Sequence, residues 1–463
     1  MPSESVPSLI ESEHDEWAAF GPVLAVLRLS EAPALAASLW ESKNSGRPLA
    51  GMPIVGTPLH GSYHILFPVD FPSGERWLLK IPITGTPEHW DEASASALMS
   101  EALTMRFIRQ RTTIPVPEVF GFCSNLRNEL CCPHIWLSFI HGISLQDMWF
   151  DKTAENHHRR TRVLEDVATA MVQLRQFLFP MGGRILFNDS GKPVGVGAIR
   201  EVDHYATFKR QMSEDSDHMP IYVERGPFHN TREFFTRAIT GDHDISLFLV
   251  GQERLLRLFI DCAASFFSAN DGSFVLTHPD FDIQNFIVST EGELLGIIDW
   301  DGVCAWPKCL GSKRYPGWLT RDWDPGMYGY GSDGLPHHSD MREDSPQTLA
   351  HYRQVYRDIM ERVLGTQNGG PQEAGGQGSD KYETSSTLIL ENLEIAASVR
   401  MGRGNIVGKI IKEIAAIINI PGDLDFDFLY MDLCNKAGAD QLTMETKEAL
   451  RIGLELLLQN QSL

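Results

Sequence analysis

The stretch Leu276-Thr277-His278-Pro279-Asp280-Phe281-Asp282-Ile283-Gln284-Asn285-Phe286-Ile287-Val288, continued after a turn by Gly296-Ile297-Ile298-Asp299-Trp300-Asp301, decides how the chain is read. An apolar strand delivers a polar loop, residues 286–288 return as a second strand, Glu291-Gly292 turns the chain, and residues 294–298 form a third strand ending on a carboxylate. Asp280, Asn285 and Asp299 then converge at one mouth. A carboxylate and an amide oxygen placed by a hairpin suit Mg²⁺, a hard cation that takes few protein oxygens and completes its shell with phosphate and water. Asp280 is left to face an acceptor. Phosphoryl transfer needs this division: metal on the phosphates, and a base or orienting group on the attacking hydroxyl.

Working outward, the β character of this stretch contrasts with its surroundings. Residues 163–177 and 255–266 carry apolar stripes at helical spacing, and helical periodicity dominates from about residue 144, with 274–299 expected as one short β excursion. Upstream, residues 63–69 and 76–82 are runs of aromatic and aliphatic residues separated by Pro72-Ser73-Gly74, an antiparallel hairpin. A helix is expected around 93–109 and a further strand at 135–140. The spacing predicts an α+β arrangement: residues 1–45 as an N-terminal helical extension, 46–141 as a small first lobe, and 142–364 as a larger, mainly helical second lobe. Ser345-Pro346 supplies an N-cap followed by proline, opening a helix that should end at Gly365. Residues 365–386, rich in glycine, read as a flexible linker, and 387–463 as C-terminal helices packing on the second lobe.

The pattern His-x-Asp-(x)4-Asn, followed by a strand ending in Asp, resembles the catalytic and metal loops of the protein-kinase-like phosphotransferases. The His278-Pro279-Asp280 spelling, with Ile297-Ile298-Asp299-Trp300 in the metal loop, is similar to the aminoglycoside phosphotransferase and choline kinase branch. Tyr315-Pro316-Gly317-Trp318-Leu319 and Asp322-Trp323-Asp324-Pro325 downstream resemble fungal members of that phosphotransferase enzyme family. The resemblance implies a bilobal protein-kinase-like fold with ATP and Mg²⁺ between the lobes. It implies Gly61 and Ser62 in the turn over the ATP phosphates, Lys80 on the α- and β-phosphates, and Glu101 as the partner orienting that lysine. Asn285 and Asp299 would hold metal, Asp280 would be catalytic, and His278 would brace the loop. The strand 135–139 would offer its main chain to adenine. Asp282 and Asp301 are open between a metal or substrate role and a solvated loop carboxylate.

The implied activity is transfer of the ATP γ-phosphate to a hydroxyl of a small molecule. A kinase-like nucleotide-binding module without catalysis and a protein kinase are the alternatives. The absence of Asp-Phe-Gly and of an Ala-Pro-Glu segment weighs against the second.

Composition narrows the partners. The 463 residues carry 40 Lys and Arg against 61 Asp and Glu, a net charge of −21. Nucleic acid and anionic membrane both require basic clusters, so neither is expected as a partner. The same acidity suggests a cationic acceptor. Seven cysteines in an uneven scatter, and no basic apolar leader, point to a reduced cytoplasmic setting. Cys131, Cys132 and His134 lack a second ligand pair at zinc spacing, and Gly402-Arg403-Gly404 lies in a helical context, so neither is assigned chemistry. Oligomeric state is not legible.

Overall fold

Along Arg76–Pro82, Trp77, Leu79 and Ile81 are buried on one face while Lys80 and Pro82 are buried on the other, and this alternation organises the first lobe. The computed structural model describes residues 17–151, 156–213, 219–239, 246–267, 273–331, 334–338, 341–367, 384–419 and 425–459. The lobe is built on an antiparallel sheet of β1 (Ile54–Val55), β2 (Leu59–His60), β3 (His64–Asp70), β4 (Arg76–Pro82), β5 (Val119–Cys123) and β6 (His134–Ser138). Its order is β1-β3-β4-β6-β5, with β2 also paired to β3. Trp77, Leu79 and Ile81 on β4, with Ile65, Phe67 and Val69 on β3, point to one face. There they meet Phe20, which precedes the helix Gly21–Val26, Val23 within that helix, and Ala36 and Trp40 from the helix Ala32–Lys43. Burial of each large side chain is worth roughly 1.5–3 kcal/mol, so Phe20, Val23 and Trp40 make the extension part of the lobe's core. Residues 1–16 lie outside the described residues.

The opposite face carries the long helix Glu92–Arg111. The Asp91 side chain caps its start by accepting from Ser94 N at 2.7 Å. Leu98, Ala102, Met105 and Ile108 recur at helical spacing and pack on Ile135 and Leu137 of β6. The lobe is therefore a sheet between two helical layers.

In the second lobe, β7 (Ile143–Ser144) is followed by β8 (Leu178–Phe179), β9 (Gly183–Phe187), β10 (Pro193–Gly197), β11 (Ile199–Val202) and β12 (Tyr222–Arg225). Next come β13 (Phe274–Thr277), β14 (Phe286–Val288), β15 (Leu294–Ile297) and β16 (Cys304–Pro307). Two features differ from the sequence expectation. The β content is not one excursion at 274–299, since a five-stranded sheet runs β10-β9-β16-β13-β8 and β11 pairs with β12. These strands contain glycines at 183, 195 and 197 and a bulge between Pro193 and Gly195, which erase the period-two signal. Moreover, β13 pairs with β16 and β8, while β14 pairs with β15 and β7, so the polar loop 278–285 crosses from one sheet to another.

Helices complete this lobe, among them Asn156–Val172, Leu247–Ala263, Arg403–Ile417 and Phe426–Gly438. The helix opened by Ser345-Pro346 spans Pro346–Gln367, two residues past the expected stop at Gly365. The helix Thr384–Ser398 follows, so residues 365–367 and 384–386 of the expected linker are helical, and the remainder, 368–383, lies outside the described residues. Among the described residues no helix is long and apolar enough to cross a membrane.

Candidate active site

Lys80 lies on β4, an interior strand between β3 and β6, with its side chain on the face opposite Leu79 and Ile81. It is buried, and its Nζ donates to Glu101 at 2.8 Å and to Asp299 at 3.2 Å. Glu101 is itself buried on the helix Glu92–Arg111. Burial would lower the Lys80 pKa, but Glu101, then Asp299 and Asp301, more than offset it and hold the ammonium above its usual range. The same lysine, outweighing partial burial, holds the Asp299 carboxyl down to about 2. One cation thus ties together a strand and a helix of the first lobe and the end of β15 in the second.

The loop after β13 is fixed by its own side chains. His278 is fully buried; its Nε2 meets the Ile298 carbonyl at 2.9 Å, and its ring packs edge-on against Trp300 at 4.6 Å. Burial pushes the imidazole down to about 4, so it is neutral, and its Nε2–H donates to Ile298. Arg314 donates to the His278 carbonyl from the other side at 2.5 Å. The Asp280 carboxylate, exposed, accepts from Gln284 and from Asn285 Nδ2, each at 2.8 Å. Asn285 Nδ2 also donates to the Asp280 carbonyl at 2.8 Å, so both amide hydrogens are used. The Asn285 backbone carbonyl in turn accepts from Ile298 N at 2.9 Å, which sets the residue before Asp299. Asp299 has φ +57°, a left-handed conformation uncommon for a non-glycine residue and concentrated at functional sites.

These elements enclose a cavity of about 530 Å³. Leu66, Leu78, Leu137, Ile287 and Ile298 line an apolar part, bordered by Ser138, Phe139, Ile140 and Gly142, and Gly61 and Ser62 form part of its edge. Lys80, Glu101, Asp280, Asn285 and Asp299 line its polar part. The structure therefore brings seven of the eight expected site residues to one cleft, with His278 behind the loop. The donor set suits a hard divalent cation: Asp299 is an ionised carboxylate, and the spent hydrogens of Asn285 leave its amide oxygen as the end that can meet a metal. Among the described residues no cluster of three His, Cys, Asp or Glu side chains is arranged to hold a metal unaided.

Asp282 is not a solvated loop carboxylate. It caps Ile283 N at 2.8 Å and pairs with Arg321, whereas burial pushes its carboxyl up. Asp301 lines the cleft beside His64, whose Nε2 lies 3.9 Å away. Sequence reasoning placed His64 in the turn Gly61-Ser62-Tyr63-His64 without giving it a role of its own, and did not single out Arg314 or Arg321. For His64 the alternation of β3 was the available signal, and for the arginines no local pattern exists.

A sequence model of the family described as Phosphotransferase enzyme family matches residues 70–307, just over half of the chain. The chain belongs to the phosphotransferase enzyme family. Lys80, Glu101, His278, Asp280, Asn285 and Asp299 of this family member fall inside the matched span, whereas Gly61 and Ser62 precede it. Altered inheritance of mitochondria protein 9, mitochondrial, of Candida dubliniensis is 27% identical over 135 residues, which is 28% of this chain and 21% of that protein. The protein of the same name from Saccharomyces cerevisiae is 20% identical over 348 residues, covering 64% of this chain and 54% of its own length. The chain thus spans from about a fifth to about half of these relatives. Among solved structures, a thermostable variant of aminoglycoside phosphotransferase APH(4)-Ia, in ternary complex with AMP-PNP and hygromycin B, is similar with 14% identity and a TM-score of 0.38. That alignment covers 87% of this chain and 97% of that one. The α+β arrangement expected from the sequence, a small antiparallel sheet with one long helix followed by a larger, mainly helical part, is the arrangement observed.

Proposed function

We propose that the chain is an ATP- and Mg²⁺-dependent phosphotransferase acting on a hydroxyl of a small molecule. The observation that carries this reading is the position of Lys80, 2.8 Å from Glu101 and 3.2 Å from Asp299, in a cleft that also presents Asp280 and Asn285. Lys80 binds the α- and β-phosphates, held on target by Glu101. Asn285 and Asp299 would hold Mg²⁺, which when bound neutralises phosphate charge. The apolar part of the cleft receives the base, and residues 138–142 offer it main-chain groups. Asp280, anchored by Gln284 and Asn285, orients the acceptor hydroxyl and accepts its proton. Because the transition state of phosphoryl transfer is loose, positioning and charge neutralisation account for most of the acceleration.

The excess of negative charge favours a cationic acceptor, and a cytoplasmic setting fits cysteines of which none forms a disulfide. Calorimetric titration with ATP, with and without Mg²⁺, tests the site. Wild type should bind far more tightly with Mg²⁺, and Asp299→Ala should lose that gain. Equal binding in the two conditions by wild type would remove the metal assignment.

A further inference from the structure

The turn at Gly61-Ser62 receives little support from its own residues. The strand before it, β2, is two residues long, and a side chain at Gly61 would meet nothing within 4 Å. The turn is closed by Gly61 N donating to the His64 carbonyl at 2.9 Å, and His60 pairs with Ile65 across the hairpin. What packs on this hairpin from outside is the N-terminal extension. The Trp17 ring meets the His60 ring edge-on at 4.6 Å, and Phe20 lies 5.7 Å from the same ring. Phe20 is only 2% exposed and belongs to the core shared with β3 and β4, so the platform beneath His60 is rigid. His60 directly precedes the two residues that edge the cleft. Both the extension and the turn lie before the span matched by the family, which begins at residue 70.

We infer that Trp17 and Phe20 are positioning residues for nucleotide binding: through ring contacts with His60 they hold the Gly61-Ser62 turn over the phosphate end of the cleft. The inference rests on the nucleotide reading proposed above. A loop ordered before its ligand arrives does not lose that freedom on binding, so removing the contact should weaken the ligand part that the turn covers and no other. Adenosine fills the apolar part alone, whereas Mg²⁺ with AMP-PNP also places phosphates under the turn.

The experiment titrates both probes into the full chain as wild type, Trp17→Ala, His60→Ala and His60→Phe. Both alanine variants should weaken Mg²⁺ and AMP-PNP binding by about fivefold, the scale of ordering one side chain on binding, and leave adenosine affinity unchanged. His60→Phe, which keeps a ring, should restore wild-type affinity. If Trp17→Ala lowers the melting temperature, the turn-side His60 pair decides the outcome. Equal weakening of both probes would make the contact structural only, and no weakening of either would remove it; both outcomes overturn the inference. A wild type that binds adenosine as tightly as Mg²⁺ and AMP-PNP, or binds neither, would overturn the nucleotide reading itself, and this inference with it.

Discussion

Lys80 and Glu101, 21 residues apart in sequence and both buried, form an ion pair at 2.8 Å between β4 and the helix Glu92–Arg111. Removing one member leaves an uncompensated charge, which costs about 3–5 kcal/mol, whereas replacing both by apolar residues is often neutral. Lys80→Met should therefore lower the melting temperature strongly, and Lys80→Met with Glu101→Met should recover most of it. Differential scanning calorimetry of the single and double variants checks this. Neither variant should transfer phosphate, so stability and activity separate. Recovered activity in the double variant would show that Lys80 does not touch the nucleotide.

His278 gives stability a pH dependence whose sign is fixed by its burial. Its folded pKa is about 4, below the unfolded value of about 6.5, so the unfolded chain binds the proton first as pH falls. The contribution is fully present above pH of about 6.5 and is lost down to about 4, on the order of 3 kcal/mol in total. Protonation would also require a partner at Nδ1, which is buried without one among the described residues. Urea unfolding of wild type and His278→Gln between these pH values should show a shallower dependence in the variant. Parallel curves would assign the dependence to other groups.

Gly251 and Gly438 let the helices Leu247–Ala263 and Phe426–Gly438 meet through their backbones. A Cβ at Gly251 would lie 1.7 Å from the Cys434 carbonyl oxygen, and one at Gly438 would lie 1.9 Å from that of Leu247. Gly251→Ala must push the helices apart and should destabilise the protein by about 3 kcal/mol or more. Thermal unfolding measures it. A change under about 0.5 kcal/mol, the scale of an ordinary surface substitution, would show that the C-terminal helices contribute little to the second lobe.

How much of this was legible in the sequence depended on the range of the interaction involved. Asp280, Asn285 and Asp299 were readable because a polar loop and a hairpin of fixed spacing place them from nearby residues alone, whereas Lys80 and Glu101 entered through the family resemblance, which expects a strand lysine and a helix glutamate there. The role of Asp282 was not, since Arg321 lies 39 residues away and no local pattern joins them. The sheet around β9 and β16 was missed for the same reason: its strands are short, interrupted by glycine, and paired with segments over a hundred residues apart. Nor could the ring contact of Trp17 with His60 be anticipated, because helical spacing tells which face is apolar and not what it meets.

The most direct test of phosphoryl transfer is ATP consumption by wild type and Asp280→Asn across amines, aminosugars, choline analogues and neutral polyols, with binding of Mg²⁺ and AMP-PNP measured in parallel. At least one hydroxylated acceptor should stimulate ATP consumption by wild type and become phosphorylated, and Asp280→Asn should bind nucleotide equally well while losing turnover at least a hundredfold, the scale of general base removal. Full turnover by Asp280→Asn, or no acceptor-dependent consumption by a wild type that binds the nucleotide, would contradict the account.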